Sequence, residues 1–162
     1  MSLPKDLQER LQFLARVVVR EVRQLRETDQ RLFANGFGLE EVKRLDSAPD
    51  LAERVDAFVS RFGRLQDTVG DKLLPAWRSA VGETPATVAD NLDRAERLGL
   101  IPSADLWLGL RRLRNQMMHE YIEDPSVLSN ALNTAHTHLT VLTDAADALL
   151  ADLAQRGIIE RS

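Results

Sequence analysis

One short stretch of the chain gathers the side chains that could do chemistry: Arg114, Asn115, His119 and Tyr121, with Arg111 one turn upstream. Histidine titrates near neutrality and can take or give a proton. Arginine offers a planar fork of donors that grips two phosphate oxygens at once. A tyrosine hydroxyl can donate to an anionic oxygen or position a sugar. A proton-transfer group and a fixed cation are the parts that metal-free phosphodiester cleavage uses. Nothing else in the chain competes. There is no H-E-x-x-H, no phosphate-binding glycine loop and no dinucleotide glycine pattern. His136 and His138 lie about 200° apart on a helix and cannot share one ligand, so they read as rim histidines. With no cysteine there is no thiolate site, and no metal or cofactor is expected.

The segment from Leu106 to Tyr121 must position these groups, and its spacing predicts a helix. Leu106, Leu110, Leu113, Met117 and Tyr121 fall on one apolar stripe at 100° per residue. Arg114 lies at the edge of that stripe. Arg111, Asn115 and His119 form a second stripe at i, i+4, i+8, which places Asn115 to orient His119. Trp107 and Met118 lie between the stripes, so apolar surface continues past the core edge and expects a second subunit or a ligand. Arg114 and His119 are about 140° apart on the helix. Convergence within one chain is therefore awkward, whereas two protomers about a two-fold axis would bring two copies of each to one cleft.

Each residue also has a plainer reading. Tyr121 can be core packing with a wet hydroxyl tip, Arg114 half of a surface ion pair, and His119 a solvated histidine favoured by a helix C-terminus. Asp67, Asp71 and Glu120 read as solvated carboxylates. Arg61 and Arg64 are candidates for lining a cleft.

Arg114, four residues, His119, one residue and Tyr121, with Asn115 directly after the arginine, form an R-x4-H-x-Y pattern that resembles the signature of HEPN-domain ribonucleases. It looks most like the HepT branch, the toxin half of the MNT–HepT, type VII, toxin–antitoxin pairs. Arg61-Phe-Gly-Arg-Leu-Gln-Asp67 is similar to the second-helix segment of HepT-like proteins, and the resemblance runs from about Leu51 onward. It implies an all-α, HEPN-like bundle of about five helices acting as a homodimer. It implies a metal-independent endoribonuclease, with Arg114, His119 and Asn115 as the catalytic set and Arg111 and Tyr121 at the substrate. The partners it implies are RNA and a nucleotidyltransferase antitoxin, which would silence the protein by adding AMP to Tyr121. A phosphodiester there would stand beside Arg114 and repel RNA. The alternative is a non-catalytic helical partner, the substrate-binding subunit of a small nucleotidyltransferase. A phosphorelay role for His119 is disfavoured by Glu120, whose carboxylate would repel a phosphoryl group.

The rest of the chain supplies the bundle. Leu7, Leu11, Leu14, Val18, Val22 and Leu25 predict a first helix over 4–34, capped by Ser2 and stopped at Asn35-Gly36. Residues 39–45 read equally as a helical turn or a loop, and 35–49 as a candidate insertion. Leu51, Val55, Phe58, Phe62, Leu65 and Val69 predict a second helix over 50–81, weakened at Gly70 and kinked at Pro75. Thr84-Pro85 reads as the start of a short helix over 86–98 ending at Gly99. Ser103 caps the motif helix over 103–122. Asp124 caps a last helix over 125–156, whose Leu128, Leu132, Ala135, Leu139, Leu142, Ala146, Leu149 and Leu153 form a heptad seam.

Composition sets outer bounds. A chain of 162 residues, 44% hydrophobic and 28% charged, suits one globular domain spanning 1–162. The net charge of −4 argues against broad electrostatic wrapping of nucleic acid but allows a local basic cleft. No apolar run predicts a membrane span or secretory leader, and the absence of cysteine fits a cytoplasmic location.

Overall fold

The computed structural model describes residues 3–119 and 124–160. Among these residues there is no strand, and eight α-helices form the molecule. They are α1 (Lys5–Phe33), α2 (Leu39–Lys43), α3 (Pro49–Asp67), α4 (Leu74–Ala80), α5 (Val88–Arg97), α6 (Ala104–His119), α7 (Pro125–Thr137) and α8 (Leu139–Gln155). A 3-10 turn at Leu45–Ser47 leads into α3, and a π-helical turn at Thr68–Leu73 joins α3 to α4. No helix among the described residues is long and apolar enough to cross a membrane.

The apolar stripes read from the sequence become one core. Leu11, Leu14, Val18, Val22 and Leu25 of α1 meet Val55, Phe58, Phe62 and Leu65 of α3, all buried. The heptad seam is buried along its whole length, from Leu128 to Leu153. Its helix is not continuous, however. The expected span 125–156 divides at His138, whose backbone (φ −102°, ψ 10°) leaves the helical region. A seam of period 3.5 specifies which face is buried, and two shorter helices meet that requirement as well as one.

The second predicted helix is also interrupted, and Pro75 explains where. Proline has no N–H to give to the carbonyl of residue 71, and its ring crowds that carbonyl. The chain widens into the π turn just before it, then resumes as α4. Gly70 lies in that turn under Trp107, where a Cβ would stand 3.0 Å from the indole nitrogen. Trp107 is therefore core: it is 2% exposed, not on the uncovered face that its spacing suggested. Gln66 fixes the contact by donating from Nε2 to the Trp107 carbonyl at 3.0 Å.

The helix starts divide between those expected and those displaced. Ser103 Oγ accepts from the Leu106 amide, and Asp124 caps α7 by accepting from the Ser126 amide. Gly99, at φ +76°, supplies the left-handed turn that ends α5. Helix α5 starts later than Thr84-Pro85 implied: Thr87 caps it, accepting from the Asp90 amide. Glu83 holds the preceding segment by pairing with Arg78 at 2.9 Å and Arg94 at 2.7 Å. Those guanidiniums pull its carboxyl below the usual carboxylate range, Arg94 most of all. Ser2 lies outside the described residues, and α1 begins at Lys5 after Pro4, without a side-chain cap. Residues 39–47 form α2 and the 3-10 turn, anchored where Asn133 Nδ2 donates to the Phe37 carbonyl at 2.7 Å.

One buried acid faces the π turn. Glu21 of α1 accepts from Thr68 Oγ1 at 3.0 Å, and its Oε2 has no partner among the described residues. Burial pushes its carboxyl above the usual range, against the opposing hydrogen bond from Thr68. The folded state then holds the proton more tightly than the unfolded chain. Stability falls as pH rises from the ordinary carboxylate value through the raised one. Glu21→Gln is expected to remove this slope and to be more stable than the parent above that window. Urea unfolding across weakly acidic to neutral pH measures it, and parallel pH profiles for the two proteins would count against the assignment.

Candidate functional site

Helix α6 crosses α3 antiparallel, and the crossing builds the site. Trp107 meets Gly70, Arg111 reaches Asp71, and Arg114 reaches back to Asp67 and Gly63. Arg114 Nη1 donates to Asp67 Oδ1 at 2.7 Å. Its shaft lies on the bare backbone of Gly63, where a Cβ would stand 2.5 Å from Nε and 2.8 Å from Cδ. A glycine inside a helix costs roughly 1 kcal/mol relative to alanine, and here the space it leaves seats the arginine. Arg111 Nη2 donates to Asp71 Oδ2 at 2.5 Å and lies 3.8 Å from Asp67. These pairs are about one-third exposed, a setting in which each contributes roughly 0–1 kcal/mol. Their main consequence is orientation, since they fix two guanidiniums along one side of α6.

Arg114 also lines a groove of about 550 Å³ between α3, the end of α6, the start of α7 and the 3-10 turn. That volume is in the range of small-ligand sites, about 300–1,000 Å³. Its walls are apolar at Val55, Val59 and Met117 and charged at Asp56, Arg64 and Asp67. Met118, 48% exposed, stands at its lip. This exposure agrees with the uncovered face expected of α6, although Trp107 is not part of it.

The other predicted site residues are placed as follows. His119 is exposed at the last described position of α6. It is not among the described residues that line the groove. Asn115 is exposed, one turn before it, and no hydrogen bond joins the two among the described residues, so the expected orienting contact is not formed. Tyr121 lies outside the described residues, as does Glu120. Asp67 and Asp71, read as solvated, are the ion-pair partners of the motif arginines. Arg64 lines the groove as expected. Arg61 does not: it turns to α1, where its Nη1 donates to the Gln24 carbonyl at 3.3 Å and to Thr28 Oγ1. His136 stacks on Phe33 with ring centroids 4.1 Å apart and lies 2.7 Å from Asp29. His136 thus ties α7 to α1, away from the groove.

Gly63 and Asp67 are the site residues that sequence reasoning missed as such. For Gly63 a signal was present, since glycine is an unfavourable residue in mid-helix; for Asp67 there was none, because its pairing with Arg114 exists only once α6 lies across α3. Comparisons of the chain with protein-family models, with curated proteins and with solved structures return no match.

Proposed function

We propose that the chain is a metal-independent endoribonuclease that works as a two-fold homodimer. Arg114 holds the scissile phosphate, and His119 transfers the proton between the ribose 2′-hydroxyl and the leaving 5′-oxygen. The observation that carries this reading is the seat of Arg114. Gly63 and Asp67 fix a guanidinium at the wall of an open groove, at R-x4-H spacing from an exposed histidine on the same helix. Asp67 takes one donor of the fork, which leaves the guanidinium plane able to meet a phosphate. Arg114 and His119 turn to different sides of α6, and a second protomer across the exposed Met118–His119 end completes the set. Arg111 contributes positive potential beside Arg114, and Asn115 meets the substrate or the partner subunit.

Tyr121 is the proposed site of silencing by a nucleotidyltransferase antitoxin, which would add AMP to its hydroxyl. Intact-mass measurement after co-expression checks this, and an AMP adduct that persists in Tyr121→Phe would place the modification elsewhere.

The purified protein is expected to cleave single-stranded RNA in the presence of EDTA and to have the mass of a dimer in solution at micromolar concentration. Intact RNA after prolonged incubation with dimeric protein would instead favour the second reading, a non-catalytic partner of a nucleotidyltransferase. One observation speaks for that alternative: Arg111 and Arg114 both have carboxylate partners within the chain, as arginines with a purely structural role would.

A further inference from the structure

The groove beside Arg114 differs at its two ends. Arg114 stands at one with Arg64, whose guanidinium reaches one turn back to Ser60, and Asp56 stands a further turn along α3, joined by Asp46 from the 3-10 turn. From Gly63, under Arg114, to Asp56 is seven residues, about 10 Å at 1.5 Å per residue. Apolar side chains of Val59 and Met117 lie between. Asp67 is neutralised by Arg114, whereas Asp46 and Asp56 have no ion-pair or hydrogen-bond partner through their carboxylates among the described residues. The Arg64 guanidinium donates, among those residues, only to Ser60 Oγ at 3.2 Å.

A ligand complementary to this groove has an anionic end, a flat apolar middle and a far edge rich in N–H donors. A nucleotide has this form, and the carboxylate end selects among the bases. An ionised aspartate only accepts hydrogen bonds. Guanine alone of the four bases presents two adjacent donors, its ring N–H and its exocyclic amine, to the two oxygens of one carboxylate. Adenine and cytosine set an acceptor beside their amine, and uracil flanks its single N–H with carbonyls. Recognition of an unstacked base through its pairing edge, with its face against apolar side chains, is the usual way single-stranded RNA is read.

We propose that the groove binds a guanine nucleotide, with its phosphate at Arg64 and Arg114, its base over Val59 and Met117, and its pairing edge at Asp56. The proposal rests on the ribonuclease reading only for the source of that nucleotide, a residue of an RNA strand rather than a free mononucleotide.

Calorimetric titration of the full chain with the 5′-monophosphates of guanosine, inosine, adenosine, cytidine and uridine tests it. Guanosine monophosphate is expected to bind at least about tenfold more tightly than the others, including inosine monophosphate, which lacks the exocyclic amine. Asp56→Asn, an exposed position that leaves the fold intact, should remove most of that preference. Arg64→Gln should weaken all five ligands by a similar factor. Equal affinities, no binding at millimolar ligand, or an unchanged preference in Asp56→Asn would overturn the proposal.

Cleavage mapping on a short RNA carrying guanosine or inosine at one position identifies the source. Cuts confined to the neighbourhood of guanosine support an RNA residue in the groove. RNA cleavage with no base preference and no mononucleotide binding refutes the groove and leaves the ribonuclease standing. Guanosine monophosphate binding that Asp56→Asn abolishes, without any RNA cleavage, keeps the groove and refutes the ribonuclease.

Discussion

His119→Ala is expected to lower RNA cleavage by roughly 10²–10⁴-fold, the usual contribution of a positioned proton-transfer group, while leaving the unfolding midpoint unchanged. His119 is exposed at the end of α6, so its removal opens no cavity, and surface changes of this kind stay within about 0.5 kcal/mol. Arg114→Ala should produce a comparable loss, roughly 10²–10³-fold, because it removes a preorganised charge from the phosphate. Arg114→Lys separates charge from geometry. A lysine keeps the charge but loses the planar fork, and activity near that of Arg114→Ala would show that the fork matters. Single-turnover cleavage of a labelled RNA measures all three. Full activity in a folded His119→Ala protein would remove the proposed mechanism.

The second large effect should separate stability from activity at a residue that touches no substrate. Gly63→Ala places a methyl group where Arg114 Nε and Cδ now lie, 2.5 and 2.8 Å from the added carbon. These atoms belong to the end of a flexible side chain, so α3 does not have to move and Arg114 swings out of its seat. Alanine is favoured over glycine in a helix interior by roughly 1 kcal/mol, and loss of the partly exposed Arg114–Asp67 pair costs roughly 0–1 kcal/mol. Stability should therefore stay within about 1 kcal/mol of the parent, while cleavage falls toward the level of Arg114→Ala. Urea unfolding and the same cleavage assay read the two quantities side by side. A folded Gly63→Ala protein with parental activity would show that the seat is not required.

Much of this architecture was legible from local pattern. The stripes of α1 and α3 and the seam from Leu128 to Leu153 are periodic over many residues, so burial of one face follows from the spacing alone. Ser103, Asp124 and Gly99 mark helix ends through bonds or backbone angles confined to a few neighbouring residues. The R-x4-H-x-Y spacing is local in the same sense, and it singled out Arg114 and His119 without knowledge of any packing.

What depended on distant partners was not legible. Trp107 sits between an apolar and a polar stripe of its own helix, and only the space left by Gly70 across the interface admits the indole to the core. Asp67 and Asp71 look like any solvated i, i+4 pair until α6 is laid antiparallel across them. Arg61 and Arg64 are the same residue type on one helix, and the orientation of α3 sends one to α1 and the other to the groove. The break at His138 leaves the heptad seam intact, so the seam's period could not reveal it. The sequence determined that the chain is helical and which faces of α1, α3 and the C-terminal seam are buried, because those follow from spacing along one element. The tertiary structure decided which arginine is seated, by which glycine and which carboxylate, because those contacts join residues forty or more positions apart.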